Sequence, residues 1–280
     1  MTERLLKKVF MFCALTSIIA VVLIFVFVAL RGAPIFVDQG PVKVLFSLDW
    51  EPLKGKFGML PFIIGSFVVT IGALVLGAPL AVGTAIYLSE IAQERVRKFV
   101  RPSVELLAGI PSVIYGFFGI IILVPLSRVV FGGSGFGLAT AWIVLAIMIL
   151  PTIAAISEDA ISAVAPAYRM GSLALGATRW QTIRRAVLPV ALPGIANAVI
   201  LGMGRAIGET MAVLMVLGNA PAIPTGASSP ASTLTSVIAL DMAYASGDHQ
   251  TALFAMGLIL LAVSMVLIAV VRVWSAKVGK

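Results

Sequence analysis

The sequence predicts an all-α, polytopic membrane protein with six transmembrane helices, and three observations carry that prediction. Of its 280 residues, 60% are hydrophobic and 11% charged, against about 25% charged in a soluble domain. The apolar residues run together in stretches long enough to cross a hydrocarbon core of about 30 Å, which takes roughly 20 helical residues. The basic residues gather between alternate stretches, as in a chain inserted with one fixed orientation.

Six stretches meet the length criterion: Val9 to Leu30, Leu60 to Leu88, Leu106 to Phe131, Phe136 to Ile156, Ile195 to Leu217 and Thr251 to Val273. The first follows Arg4, Lys7 and Lys8 as a secretory signal would. Its apolar part exceeds an ordinary signal core and no small-residue cleavage site follows, so it reads as a retained anchor. Six spans place both termini on one side with the loops after spans two and four. Those segments hold 14 of the 20 Lys and Arg: Arg4, Lys7, Lys8, Arg95, Arg97, Lys98, Arg101, Arg169, Arg179, Arg184, Arg185, Arg272, Lys277 and Lys280. The positive-inside rule then makes both termini cytoplasmic. Topology, rather than nucleic acid, accounts for the formal charge of +8.

The whole chain, 1–280, reads as a single transmembrane domain with its core helices over about 60–273 and a long cytoplasmic loop at 157–193. The opposite loops are less basic. Residues 31–59 carry Pro34, Pro41, Pro52 and Trp50, while residues 218–250 have no Lys or Arg and include a stretch, Thr233 to Ala245, read as a short surface helix. A lone cysteine, Cys13, excludes an intrachain disulfide, and with the lone His249 it offers no Cys/His metal pattern. No phosphate-binding loop of the GxxxxGK[ST] form occurs, because Gly55-Lys56-Phe57 lacks both the upstream glycine and the hydroxyl residue. The spans contain no Ser/His/Asp or His-rich set for enzymatic chemistry.

The loop between spans four and five interleaves apolar and basic residues from Arg169 to Trp180. Gly176 suits a helix end, and Thr178 with Gln181 three residues on forms a capping box for the next helix. Pro189 and Pro193 then limit continuation. Trp180, Ile183 and Val187 fall on one stripe that packs, with Arg184 and Arg185 pointing elsewhere. On spacing alone, the segment fits either a helix lying on lipid headgroups or a dock for an acidic partner.

Arg205 and Glu209 are the ionisable residues well inside a predicted span, where one such group costs about 2.5–3.5 kcal/mol on insertion scales. Their spacing of four places them on one helical face within reach of a salt bridge. Two readings remain: an interhelical clamp, or an anion site in which the guanidinium grips an oxyanion. Thr210, Ser112 and Tyr115 are weaker hydroxyl candidates for the same pathway, and Gly109 with Pro111 is expected to break or bend the start of span three. Glu90 and Glu94, with Arg95, Arg97 and Lys98, read as a solvated charge cluster or, alternatively, a secondary contact for a partner protein.

The 157–193 loop resembles the coupling motif of bacterial ABC importer permeases, EAA followed by three residues, Gly, nine residues and I-x-LP. Gly176, Leu188 and Pro189 match its register, whereas Met170, Gly171 and Ser172 replace EAA and Ala186 replaces Ile. The stretches Ala108–Gly116, Ser157–Ala160 and Gly204–Val213, with Gly247-Asp248 and Ala252–Ala255, are similar to the PstC-type phosphate permeases, and the related PstA type shares much of the Gly204–Val213 element. The resemblance implies a type I (MetI-like) importer permease fold and a phosphate pathway over Arg205, Glu209 and Thr210. It implies ATPase coupling through Arg169, Gly176, Ala177, Thr178, Arg179, Trp180, Leu188 and Pro189. The implied partners are a PstA-like second permease, a PstB-like ATPase dimer that holds ATP and Mg, and a PstS-like phosphate-binding protein; this chain itself needs no cofactor. Molybdate, tungstate or sulfate permeases and an ATP-independent anion channel or secondary transporter are the alternatives the same features allow.

Overall fold

The computed structural model describes residues 2–278, with side chains described for residues 6–273. Arg4, Lys277 and Lys280, counted above in the charge asymmetry, lie outside the residues whose side chains are described. The chain divides into two compact units, residues 1–60 with 237–262 and residues 61–236 with 263–280. Among the described residues six helices are long and apolar enough to cross a membrane, so the chain is a multi-pass membrane protein.

The first unit is built on helix α1, Thr2–Gln39. It runs well past the expected Leu30 and takes Pro34 into its interior. The short helix α2, Pro41–Phe46, leads to a two-residue hairpin that pairs β1 (Trp50–Glu51) with β2 (Lys56–Phe57) antiparallel. Hydrogen bonds from Lys56 and then Lys54 hold the Glu51 carboxyl below the usual carboxylate range. At Gly32 the backbone of α1 passes so close to Ala255 that an added Cβ would sit 2.6 Å from its nitrogen, and Phe27 meets Phe254 edge-on at 5.7 Å. His249 lies 5.8 Å from Trp50 and contacts Asp241 at 3.2 Å, which fixes the turn before the last helix against the hairpin.

The second unit carries most of the buried core. It opens with α3, Leu60–Ile86, which widens into a π-turn at Tyr87–Ile91. Next comes α4, Glu94–Ala108. This amphipathic helix is too polar to span a membrane. Span three therefore begins at Ser112 rather than Leu106, with the chain interrupted at Gly109–Pro111 as expected. It consists of α5 (Ser112–Phe118), a π-turn (Gly119–Leu123) and α6 (Val124–Phe131).

Helix α7, Leu138–Ser162, is the central element, with 61% of its most apolar window buried. Short helices α8 (Pro166–Ala174) and α9 (Arg179–Thr182) follow, then a π-turn at Ile183–Val187 and α10 (Leu188–Ile207). The unit continues through α11, Met211–Val216, into α12, Leu234–Asp241; the last helix, α13, runs Asp248–Val278.

Prolines explain two departures from the expected boundaries. Pro189 does not stop the helix. Span five begins as early as Arg179, and Pro189 and Pro193 lie inside α10. Proline lacks an N–H and its ring clashes with the carbonyl four residues back, which for Pro189 is Arg185, inside the π-turn Ile183–Val187. A wider turn moves that carbonyl away, so the helix passes through the proline. Pro125 repeats the arrangement, with Ile121 inside the π-turn Gly119–Leu123.

The segment Thr233 to Ala245 is also corrected. Its helix is shorter, Leu234–Asp241, and its start is not a surface: Ser232, Thr233, Thr235 and Ser236 are buried. They satisfy one another and the neighbouring backbone, as when Ser66 Oγ accepts from the Leu234 N–H at 3.0 Å.

Helices α5 and α11 approach closely because position 116 has no side chain: a Cβ there would stand 2.5 Å from Met215 Sδ and 3.3 Å from Ala212 Cα. Gly116→Ile should cost about 1–3 kcal/mol or more by overpacking. It should lower the thermal midpoint of the purified protein in detergent, while Gly83→Ala, at a position facing open space, should not.

Candidate functional site

The candidate site is where two distant stretches of the second unit converge. Helix α4 ends at Ala108, and like every helix end it leaves carbonyls without intrahelical donors. Tyr115, on the first turns of α5, is 6% exposed and turns its hydroxyl back to donate to the Leu107 carbonyl at 2.7 Å. Arg205, near the end of α10, donates through Nη1 and Nη2 to the Ala108 carbonyl at 3.5 and 3.4 Å, and through Nη1 to Thr152 Oγ1 at 3.3 Å. A cation at a helix C-terminus also meets the negative end of the helix dipole.

The expected Arg205–Glu209 salt bridge is absent among the described residues, and the reason is a break in the helix. Helix α10 ends at Ile207 with Gly208 as its cap, so the i, i+4 geometry that would bring the two side chains together does not exist. Glu209 instead stands before the next helix, where its Oε1 accepts from the Ala212 N–H at 3.0 Å. Thr235 Oγ1 donates to the Glu209 carbonyl at 2.8 Å, pinning the break. Thr210 Oγ1 is spent locally on the Gly208 carbonyl at 3.2 Å.

Arg205 is thus half-buried in an apolar helix with no acidic partner among the described residues, held by long contacts to one carbonyl and one hydroxyl. Those contacts are weak by length. Tyr115 is buried and its hydroxyl is committed to Leu107, while Ser112 is half-buried at the start of α5.

At the basic end of the unit the charges are ordered rather than merely solvated. Glu94 and Arg95 are exposed as expected, but Glu90 is not part of their cluster. Its side chain is 10% exposed and paired with Arg169 of α8, whose Nη2 lies 2.5 Å from Glu90 Oε1. Arg169 also donates to the carbonyls of Ile161 and Val164 at 2.9 and 2.6 Å. Glu158, 1% exposed, accepts from Arg97 Nε at 3.1 Å, and Arg101 reaches Asp159 at 2.9 Å, so α4 is tied to α7. Glu158 lies in the Ser157–Ala160 stretch, to which the sequence alone assigns no charge pairing. A carboxylate in the last turns of an apolar span, opposite two arginines four apart in the preceding basic segment, was the available signal.

The α8–α9 turn forms as expected. Gly176 adopts φ +82° and closes α8, and Thr178 and Gln181 complete a reciprocal capping box at 2.9 and 3.3 Å. Ala177 donates back to the Ser172 carbonyl at 3.2 Å. The packing stripe needs correction: Ile183 and Val187 are buried, but Trp180 is 58% exposed. The π-turn after Thr182 rotates the later residues away from the register of the first turn. Arg179, Arg184 and Arg185 are exposed, with Met170, Leu173 and Leu175 also outward. Leu188 is half-buried and Pro189 exposed.

Residues 77–280 match the family model of binding-protein-dependent transport system inner membrane components. The chain belongs to that family. It is 45% identical over 273 residues to a probable ABC transporter permease, YqgH, of Bacillus subtilis, covering 95% of this chain and 88% of that protein. It is 36% identical over 256 residues to the phosphate transport system permease PstC of Pasteurella multocida, covering 84% and 80%. Among solved structures it resembles a chain of a bacterial alginate ABC transporter in complex with an alginate pentasaccharide-bound periplasmic protein. The TM-score is 0.63 at 17% identity, covering 95% of each chain. The fold is that of an ABC importer permease.

The Tyr115 bond makes a direct prediction. Tyr115→Phe removes one donor to the Leu107 carbonyl, which keeps the Ile110 N–H at 3.2 Å, so the loss should be that of one ordinary hydrogen bond, about 0.5–1.5 kcal/mol. A thermal melt of the detergent-purified variant should fall accordingly, with helical content unchanged by circular dichroism.

Proposed function

We propose that this chain is the PstC-type permease subunit of an ATP-driven importer of inorganic phosphate, and that Arg205 receives the anion on its path through the bundle. The observation that carries the reading is the guanidinium of Arg205, lodged in an apolar helix without an acidic partner among the described residues, at the junction of Ala108–Gly116 and Gly204–Val213. Guanidinium presents paired donors that match the spacing of phosphate oxygens. An arriving oxyanion offers far stronger acceptors than a carbonyl 3.4–3.5 Å away, so it displaces Ala108 rather than adding to it. Glu209 and Thr210 shape the break beside the guanidinium. The relatives named for phosphate transport support this choice of anion over molybdate, tungstate or sulfate.

The same reading supplies the fuel from outside. An ATPase dimer holding ATP and Mg docks on α8 and α9, where Trp180 and the nearly free Leu175, 91% exposed, lie among Arg179, Arg184 and Arg185. That surface, in a cytoplasmic orientation with both termini, suits a partner with an apolar groove and acidic rim. A second permease of the PstA type completes the pathway, and a phosphate-binding protein delivers from the other side. On ATP binding the coupling segment, Arg169 to Pro189, moves with its partner and the bundle opens toward the binding protein; hydrolysis returns it.

Reconstitution tests the reading. Liposomes holding this chain alone should show no phosphate flux, while the four-component complex with ATP should import it. Arg205→Gln should reduce that import by roughly two orders of magnitude, a loss on the order of 2.7 kcal/mol of pathway stabilisation, with the complex intact on size exclusion. Uptake at the wild-type rate by this variant removes Arg205 from the pathway. Separately, Gly176→Val forces a β-branched residue to the +82° backbone, at a cost of about 1–2 kcal/mol or more. Pull-down of the ATPase should weaken while the variant still inserts and folds.

A further inference from the structure

We propose that Glu90 and Arg169 form the joint through which the coupling helix α8 drives span two, a positioning role distinct from ATPase contact. The inference rests on the transport reading above and deepens it. Arg169 lies on the coupling segment, yet its guanidinium turns inward and is fully engaged: Nε donates to Glu90 Oε1 and Oε2 at 3.0 and 3.3 Å, Nη2 to Glu90 Oε1 and the Ile161 carbonyl, and Nη1 to the Val164 carbonyl. One side chain therefore binds three elements, the end of α7, its own α8, and the π-turn that ends α3.

Two further observations make this a moving part rather than a core clamp. Glu90 sits within the π-turn Tyr87–Ile91, and such turns are places where a helix changes its register at low cost. The pair also borders a recess of about 210 Å³ lined with Leu173, Arg179, Thr182 and Ile183, so it has room to shift without opening the packed core. Ser172 and Thr182, 3.0 Å apart, link α8 to α9 across the same recess. Force applied to α8 and α9 thus reaches α3 through Glu90, and lysine in place of Arg169 lacks the fork needed to hold a carboxylate and two carbonyls together.

The assembled complex in proteoliposomes provides the test, with phosphate uptake and ATP hydrolysis measured together. Glu90→Gln should assemble and hydrolyse ATP, yet move about tenfold less phosphate per ATP, and Glu90→Asp should keep most of the wild-type ratio. If the two residues act as one joint, Glu90→Gln with Arg169→Gln should be no worse than the poorer single variant. A wild-type ratio in Glu90→Gln, strictly additive losses, or uptake and hydrolysis falling together with assembly would each overturn the joint.

A second readout is independent of the transported anion. Spin labels at Ile91→Cys and Ala167→Cys, both exposed and outside the docking surface of Leu175 and Trp180, in a Cys13→Ser background should hold their separation when ATP is added to the otherwise wild-type complex, and drift apart in Glu90→Gln. Equal behaviour in the two overturns the joint whatever the substrate, whereas a constant separation beside absent phosphate import overturns only the choice of anion.

Discussion

The site depends on one interaction, the guanidinium of Arg205 resting on the carbonyl that ends α4. A helix that stops within a membrane protein leaves acceptors that lipid cannot satisfy. This chain answers with Tyr115 on Leu107 and Arg205 on Ala108, the second being a charged donor where a neutral one would suffice. The interruption at Gly109–Pro111 and the break at Gly208–Thr210 are consequently two halves of one arrangement. Each exposes the backbone or capping group that the other unit of sequence needs.

Two charge arrangements in the same unit illustrate opposite solutions to burial. Glu158 is almost wholly enclosed, but two arginines face it, and only removing both would strand a carboxylate at a cost of about 3–5 kcal/mol. Arg205 is less enclosed and is given only neutral oxygen acceptors at the long end of hydrogen bonding. Fully paired ions make rigid joints because any displacement costs desolvation. A cation offered weak neutral partners stays available. The contrast separates the structural carboxylate from the candidate anion site more sharply than exposure does.

Much of this was legible in the sequence, and the part that was not has a definable cause. Long apolar runs announce membrane helices regardless of tertiary context, so all six spans were found, and the α8–α9 turn was found because Gly176, Thr178 and Gln181 act locally. Helix ends in the apolar runs were misplaced because hydropathy carries no period there. Nothing in Ile195 to Leu217 distinguishes a continuous helix from one broken at Gly208, and the Arg205–Glu209 pairing was inferred from a helix that does not persist. Conversely, Pro189 argued for an end that a single wide turn avoids. The partners in Glu90–Arg169 and Arg97–Glu158 are separated by 79 and 61 residues, so local patterns could mark Glu158 as a buried carboxylate but could not name the partner of either acid.

The widened turns and the breaks are opposite departures from an ideal helix. Each proline that follows a π-turn, Pro125 and Pro189, keeps a helix continuous where local rules demand a stop, while the breaks at Gly109–Pro111 and Gly208–Thr210 stop helices where hydropathy demands continuity. Both departures give up regular i to i−4 hydrogen bonding, through a wider turn or a helix end, and tertiary contacts stabilise them instead. A bundle with such segments has helices whose register is set by their neighbours, so a push on a neighbour can reset it. Uniform helices would transmit the same push only as rigid rotation. The turn at Tyr87–Ile91, with its carboxylate fastened to α8, is where that difference acts most directly, because there the element that receives the push and the element able to change register share one ion pair.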